Sequence, residues 1–445
     1  MPLAYAISAA VAATDAPPIP KARAWAQEYL ASSPSKPLLD LSQGVPRDPP
    51  HPDFVSALAE TSKDPSASRY GPILGEPALR EAYATETNVL YRLPDQAITA
   101  REVGLTTGCN MAFLTVVMAI CPPQTSSILV PLPAYFNYSM TLSLQSVKPV
   151  YLPSDPSNGF VPDLAAARSY LESDAARGQV RPRFILLTSP SNPTGTICPD
   201  AHLKRWYDLA REFSIALVID ETYREFVEPE DGGSGLGVPH RLFREPDWRD
   251  TVISLSSFSK GYRIPGHRLG SIIASPDLLQ HITTICDCMQ ICPPRPPQLA
   301  LAPLLPSLRS DLVSASRTLA SRRQLFKTIV EAVPGWTVAA SGGFYAYVSF
   351  PSDYLHASSA LGLKRKRLGS EDIAKVLAKK CGVTVLPGAF FMPSTGDDEA
   401  WNEVVGGENL REDRWLRFAV ANVEDNDVRQ LGERLSQLNE IMGMA

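Results

Sequence analysis

Six short apolar runs constrain what this chain can fold into: Ile128–Val130, Val147–Leu152, Phe184–Thr188, Ala216–Asp220, Val252–Leu255 and Leu269–Ala274. Each has the length of a strand, and helix-like segments lie between several of them. The stretch Pro199–Phe213 is one such segment, with a proline at its start and Asp200 directly behind it. Strands alternating with helices predict an α/β fold whose sheet is mostly parallel and covered by helices on both faces. Ligands of such sheets bind beyond the carboxyl ends of the strands, which is where Asp220 and Lys260 fall.

The alternation begins near Tyr70. Before it, prolines at 17, 18, 20, 34, 37, 46, 49, 50 and 52 predict a stiff, extended entry, helical only around Ala22–Leu30. The apolar Pro2–Ala13 reads as a packing arm, being too short to span a bilayer and lacking a basic start. Gly104–Cys121 reads as a loop entering a helix, and Glu228–Asp250 as a surface loop or lid. Prolines around 293–306 end the alternating region. A helical pattern, Arg309–Val333, then leads into strand-like runs at Trp336–Phe350, Gly382–Phe391 and Trp415–Ala421. The expected division is an N-terminal arm with part of a small domain (1–60), a large domain (61–305) and a C-terminal small α+β domain (306–445). The basic tetrad Lys364–Arg367 reads as a solvated loop.

A net charge of −5 gives no reason to expect nucleic acid or an acidic membrane as partner. Seven cysteines in 445 residues are no disulfide framework, and their odd number suits a reducing compartment. The expected location is the cytoplasm.

Chemistry concentrates where the run Thr251–Leu255 stops in small hydroxyls, Ser256, Ser257 and Ser259, and delivers Lys260. A lysine at a strand mouth, ringed by donors, suits covalent bonding to a carbonyl cofactor. Ser257, Ser259 and Arg268 would then hold a phosphate of that cofactor, Arg268 through a forked contact. The stretch Thr106–Ala112 precedes an apolar helix and offers free backbone N–H groups to an anion. Pro133–Tyr138 supplies aromatic faces, suited either to stacking on a heterocycle or to a core cluster. Pro193 keeps Asn192 out of the helical region, so its amide projects from a strand end. Asp220 is placed either to cap a helix or to keep a pyridine nitrogen protonated. Gly44 marks either a plain turn or a close backbone approach to a ligand.

Asn192, Asp220, Tyr223, Ser257, Lys260 and Arg268, in this order and spacing, resemble the class I/II aminotransferases. These are fold type I pyridoxal-phosphate enzymes of the aspartate aminotransferase superfamily. Arg69–Gly75 with Leu79–Arg80, Ser341–Phe344, Val385–Gly388 and Leu416–Phe418 extend the likeness from about residue 40 to the end. The resemblance implies a large domain with a mostly parallel seven-stranded sheet between helices, plus a smaller α+β domain. It implies pyridoxal 5'-phosphate held by Lys260 as an aldimine, with Lys260 later acting as general acid/base. Asp220 would pair with the pyridinium nitrogen, and Asn192 and Tyr223 would donate to the phenolic oxygen. Tyr135 would stack on the ring. Gly108, Cys109, Asn110, Ser257 and Arg268 would hold the phosphate, joined by Tyr70 from the other subunit of a homodimer with shared active sites. Arg417 would fork onto the substrate carboxylate with the Gly44 backbone assisting.

The implied activity is transfer of an amino group from a neutral or aromatic amino acid to a 2-oxo acid. The alternative is a lyase eliminating a C–S bond, or an oxidase, decarboxylase or cyclase on the same fold. Gln290 aligns where a dicarboxylate-specific relative has its distal arginine, which disfavours a dedicated aspartate enzyme. Cys109 replaces the usual small or hydroxyl residue of the phosphate loop. Cys286, Cys288 and Cys292 show no metal spacing, and no metal is expected.

Overall fold

The structure is a computed structural model that describes residues 5–230, 232–362, 367–393 and 412–444. Pro2–Ala4 of the N-terminal arm and Lys364, Arg365 and Lys366 of the basic tetrad lie outside the described residues. Seven strands build the larger sheet: β1 (Val103–Thr106), β2 (Ser126–Pro131), β3 (Lys148–Leu152), β4 (Arg181–Thr188), β5 (Ala216–Asp220), β6 (Val252–Ser257) and β7 (Gly270–Ile273). Their spatial order is β1-β7-β6-β5-β4-β2-β3. All neighbours are parallel except β7, which runs antiparallel to both β1 and β6.

Side chains alternate across this sheet with period two. Ile185, Leu187, Leu217 and Ile219 join one buried cluster, while Phe184, Leu186, Val218 and Leu255 join the cluster on the opposite face. Both faces are therefore dry, as the continuous apolar runs require. Helix α1 (Asp200–Glu212) covers one face with Leu203, Trp206, Tyr207 and Ala210, a buried stripe at helical spacing.

Three readings of the sequence need correction. The entry before Tyr70 is not helical only around Ala22–Leu30: Pro52–Thr61 also forms a helix, with a proline tolerated in its first turn and Phe54 buried. Gly104 does not open a loop: Val103–Thr106 is an edge strand, and the glycine faces Leu279 and Leu74, whose methyls lie 3.3 and 3.5 Å from where a Cβ would stand. A four-residue run containing glycine is too short for periodicity to reveal. The segment Glu228–Asp250 is no free lid. His240, Leu242, Phe243 and Trp248 are buried in it, with the Phe243 ring 4.9 Å from those of Tyr91 and Trp248. Aromatic anchors, not regular structure, hold it down.

The C-terminal region forms an antiparallel sheet from β8 (Thr337–Gly342), β9 (Tyr345–Ser349), β10 (Leu386–Pro387) and β11 (Trp415–Ala419), ordered β8-β9-β11-β10. The helical expectation at Arg309 is met by Arg309–Glu331. The N-terminal entry returns to this layer, since Leu39–Asp40 pairs in parallel with Val383–Thr384. Arg434, on the last helix (Asp425–Ile441), ties the two together. Its guanidinium donates to Cys381 O at 2.7 Å, Pro37 O at 3.0 Å and the Tyr29 hydroxyl at 3.3 Å. Among the described residues no helix is long and apolar enough to cross a membrane.

Arg434→Met keeps the apolar stem but orphans these buried acceptors, so it should lower unfolding free energy by about 2–4 kcal/mol. Urea unfolding checks this, and an unchanged midpoint would contradict the tie.

Candidate active site

The carboxyl ends of β4, β5 and β6 lie side by side, with Thr188 opposite Asp220 and Asp220 opposite Leu255. At one side of this edge Gly270 pairs with both Thr106 and Ser257, bringing the ends of β1 and β6 within one strand of each other. Helix α2 (Cys109–Ile120) starts here, with Gly108 as its N-cap at φ +82°. A Cβ on Gly108 would overlap the Arg268 guanidinium, and a Cβ on Gly270 would lie 2.5 Å from Cys109 N. Only glycine fits either place. Met111 N–H makes the first turn's bond to Gly108 O, so the N–H groups of Cys109 and Asn110 precede the helix ladder. Ser257 Oγ accepts from Ser259 N–H at 3.2 Å, while the Ser259 hydroxyl is buried without a partner. Free amides at a helix start, a guanidinium pressed against them and an orphaned hydroxyl together fit a phosphate monoester.

Lys260 follows directly. Its amine is partly buried, donates to Gly44 O at 2.5 Å and lies 6.0 Å from the ring centroids of Tyr223 and Phe344. Burial pulls its pKa down to about 8, and the positive charges of Arg417 and Arg268 add to the effect. Asp220 is buried; burial pushes its pKa up, against donors that favour the ionised form. These are the Tyr138 hydroxyl at 2.6 Å and Thr222 N–H at 2.9 Å. A carboxylate so held suits a cationic ring nitrogen as its remaining partner.

Arg417 comes from β11 and is 3% exposed. One amino group donates to Asn192 Oδ1 at 2.8 Å and the other to Ser42 O, while Nε has no partner. The guanidinium lies between two rings, 4.5 Å from the Tyr345 centroid and 5.0 Å from that of Phe391. With its oxygen engaged by Arg417, the Asn192 amide keeps its NH2 as the available donor. Tyr223 meets Tyr345 hydroxyl to hydroxyl at 2.6 Å. Tyr135 shares this neighbourhood: burial pushes its phenol up to about 12, with Tyr345, Arg417 and Asp220 close enough to be felt.

The structure thus brings together Gly44, Gly108, Cys109, Asn110, Tyr135, Asn192, Asp220, Tyr223, Ser257, Lys260, Arg268 and Arg417. Tyr70 stands apart, 80% exposed. Gln290 does not face a distal substrate group in its own chain. Its oxygen accepts Thr107 N–H at 2.8 Å, bracing the turn before Gly108. Arg295 is engaged by Glu76 at 2.5 Å and by the carbonyls of Ser66 and Arg69 at 2.7 and 3.3 Å. Cys292 Sγ accepts Gly71 N–H at 3.4 Å; Cys286 is buried and Cys288 exposed. Sequence reading gave Tyr138 only as one of the aromatic faces of Pro133–Tyr138 and did not single out Tyr345 or Phe391 as contributors. Tyr138 lies one helical turn past Tyr135, and Tyr345 follows Phe344 directly, so proximity to motif residues was the signal available.

Comparison with known proteins bears on the family and the fold. The family described as aminotransferase class I and II matches residues 36–435. An aromatic aminotransferase from Arabidopsis thaliana is 26% identical over 79% of this chain and 81% of its own length. An aspartate aminotransferase from Pyrococcus abyssi is 26% identical over 80% of this chain and 84% of its own. The crystal structure of the aspartate aminotransferase from Rhizobium meliloti superposes with a TM-score of 0.81 at 20% identity, covering 98% of this chain and 99% of that one.

In the cofactor-free protein, the rate of labelling Lys260 with an aromatic aldehyde and cyanoborohydride should rise with pH around a midpoint of about 8. Only the free amine attacks, and Arg417→Leu removes a charge that disfavours the protonated form, so that variant's midpoint should move upward. A wild-type midpoint at 10.5, the ordinary lysine value, would contradict the electrostatics.

Proposed function

This chain belongs to the class I and II aminotransferase family, and from that premise we propose that it moves the amino group of a neutral or aromatic amino acid to a 2-oxo acid. The observation that carries the reading is the placement of Lys260, whose amine donates to Gly44 O beside the rings of Tyr223 and Phe344, with Arg417, Arg268 and Asp220 close enough to act on its charge. Pyridoxal 5'-phosphate, the cofactor on which this family depends, would supply an aldehyde to receive the amino group and a ring to accept electrons from the substrate Cα. Lys260 would bind it covalently. The Cys109 and Asn110 N–H groups at the Gly108 turn, with Ser257, Ser259 and Arg268, would hold its phosphate. Asp220 would hold a proton on the ring nitrogen, and Asn192 Nδ2 and the Tyr223 hydroxyl would donate to the phenolic oxygen. Tyr135 would cover one face of the ring.

Arg417 would exchange Asn192 and Ser42 O for a substrate carboxylate, using two parallel charge-assisted hydrogen bonds. Anchoring the carboxylate fixes which Cα bond faces the ring, and so which bond breaks. Lys260, freed by the incoming amine and less basic than an ordinary lysine, would take the Cα proton and return it.

The named relatives divide between aromatic and aspartate substrates, and the site favours the first. Among the described residues the cations given a role at the site are Lys260, Arg268 and Arg417; Arg47, Arg263 and Arg322 line the pocket beside Lys260 and Phe344 but are paired with Glu424, Asp311 and Asp425, while Gln290 and Arg295 are engaged elsewhere. The walls are Tyr135, Tyr223, Phe344, Tyr345 and Phe391. We assign Tyr70, 80% exposed, to the phosphate cradle of a second copy, which makes the enzyme a homodimer with shared sites. All seven cysteines are free, which suits the cytoplasm.

The test is kcat/KM for phenylalanine, methionine, alanine and aspartate with one oxo-acid acceptor, alongside single-turnover spectra. Phenylalanine or methionine should exceed aspartate, with an oxo acid released in each productive turnover. An aspartate preference above about a hundredfold, some 2.7 kcal/mol, would demand a distal cation and overturn the neutral-substrate reading. Release of ammonia with pyruvate would replace transfer by elimination.

A further inference from the structure

Tyr345 is 2% exposed and touches three parts of the site at once. Its hydroxyl lies 2.6 Å from that of Tyr223. Its ring lies 4.5 Å from the Arg417 guanidinium carbon. The same hydroxyl fills the space a Cβ on Gly44 would need, and Gly44 is the residue whose carbonyl accepts from Lys260. Packing alone does not call for a phenol here, because phenylalanine fills the same volume and brings no buried hydroxyl to satisfy.

The two phenols differ in their surroundings. Burial raises both, but the Arg417 charge acts on Tyr345 as its next strongest influence, and Tyr223 lies well above its ordinary value. Either hydroxyl can donate across this contact; with Tyr345 as the donor, Tyr223 accepts. The Tyr223 proton is then free to point elsewhere in the site.

We propose that Tyr345 is a positioning residue with two separable ends: its hydroxyl aims the Tyr223 proton at the phenolic oxygen of the bound cofactor, and its ring is the shelf on which Arg417 receives the substrate carboxylate. The proposal rests on the pyridoxal-phosphate reading above. Tyr223 donation stabilises negative charge on the phenolic oxygen, so weakening it makes the proton shared with the Lys260 nitrogen bind more tightly.

The experiment is a pH titration of the holoenzyme's visible absorbance, with steady-state kinetics on the same preparations. Tyr345→Phe should raise the titration midpoint by about half to one pH unit and leave KM for the amino acid within about twofold. In a Tyr223→Phe background the same change should move the midpoint no further. Tyr345→Leu should reproduce the midpoint shift and also raise KM for amino acid and oxo acid alike by about tenfold, since the shelf is gone. A Tyr345→Phe midpoint equal to wild type, or one that shifts equally without Tyr223, overturns the hydroxyl's role; an unchanged KM in Tyr345→Leu overturns the ring's. A wild-type chain without cofactor absorbance overturns the functional reading and this proposal together, whereas a normal wild-type titration with an unmoved variant overturns this proposal alone.

Discussion

The site depends on confining one amine among cations. Lys260 is partly buried and feels the charges of Arg417 and Arg268, so its neutral form is favoured below the pH at which a free lysine loses its proton. Everything nearby supports that confinement or limits it. Gly44 O offers the ammonium form one acceptor at 2.5 Å, and Asp220 supplies the opposing charge. Removing either guanidinium would therefore alter the amine as well as the ligand group that guanidinium serves.

The fold makes this confinement inexpensive by collecting separate segments at one sheet edge. Parallel strands deliver Asp220 and Ser257 to the same end, and the antiparallel β7 lays Gly270 between Ser257 and the β1 end. Two glycines do the fine adjustment. Gly108 admits the Arg268 guanidinium and Gly270 admits the start of α2, and a Cβ at either place would separate the anion-binding groups. The C-terminal sheet contributes the other wall, with the Arg417 guanidinium close to the rings of Tyr345 and Phe391. Asn192 bridges the two layers through its bond to Arg417.

Much of this was legible in the sequence because it is local. Lys260 after a strand, Asp220 at a strand end and Gly108 before an apolar helix each carry their context within ten residues. Runs such as Ala216–Asp220 became strands because continuous apolar residues must be buried on both faces. What could not be read depends on partners far apart in the chain. The Tyr138 hydroxyl reaches Asp220 across 82 positions, and Tyr345 meets Tyr223 across 122. Gln290 aligned with a specificity position, yet its amide finds Thr107, 183 residues away, in its own chain. The burial of Glu228–Asp250 was hidden for a related reason, since scattered aromatics anchor without any period.

The central claim is that Lys260 is the residue that binds the cofactor covalently. Borohydride reduction of the yellow holoenzyme, followed by proteolysis and mass spectrometry, tests it directly. A single pyridoxyl-bearing peptide containing Lys260 is the result expected, absent from Lys260→Ala. Stoichiometric attachment at another lysine, or a reduced protein carrying no label while fully active, would contradict the account.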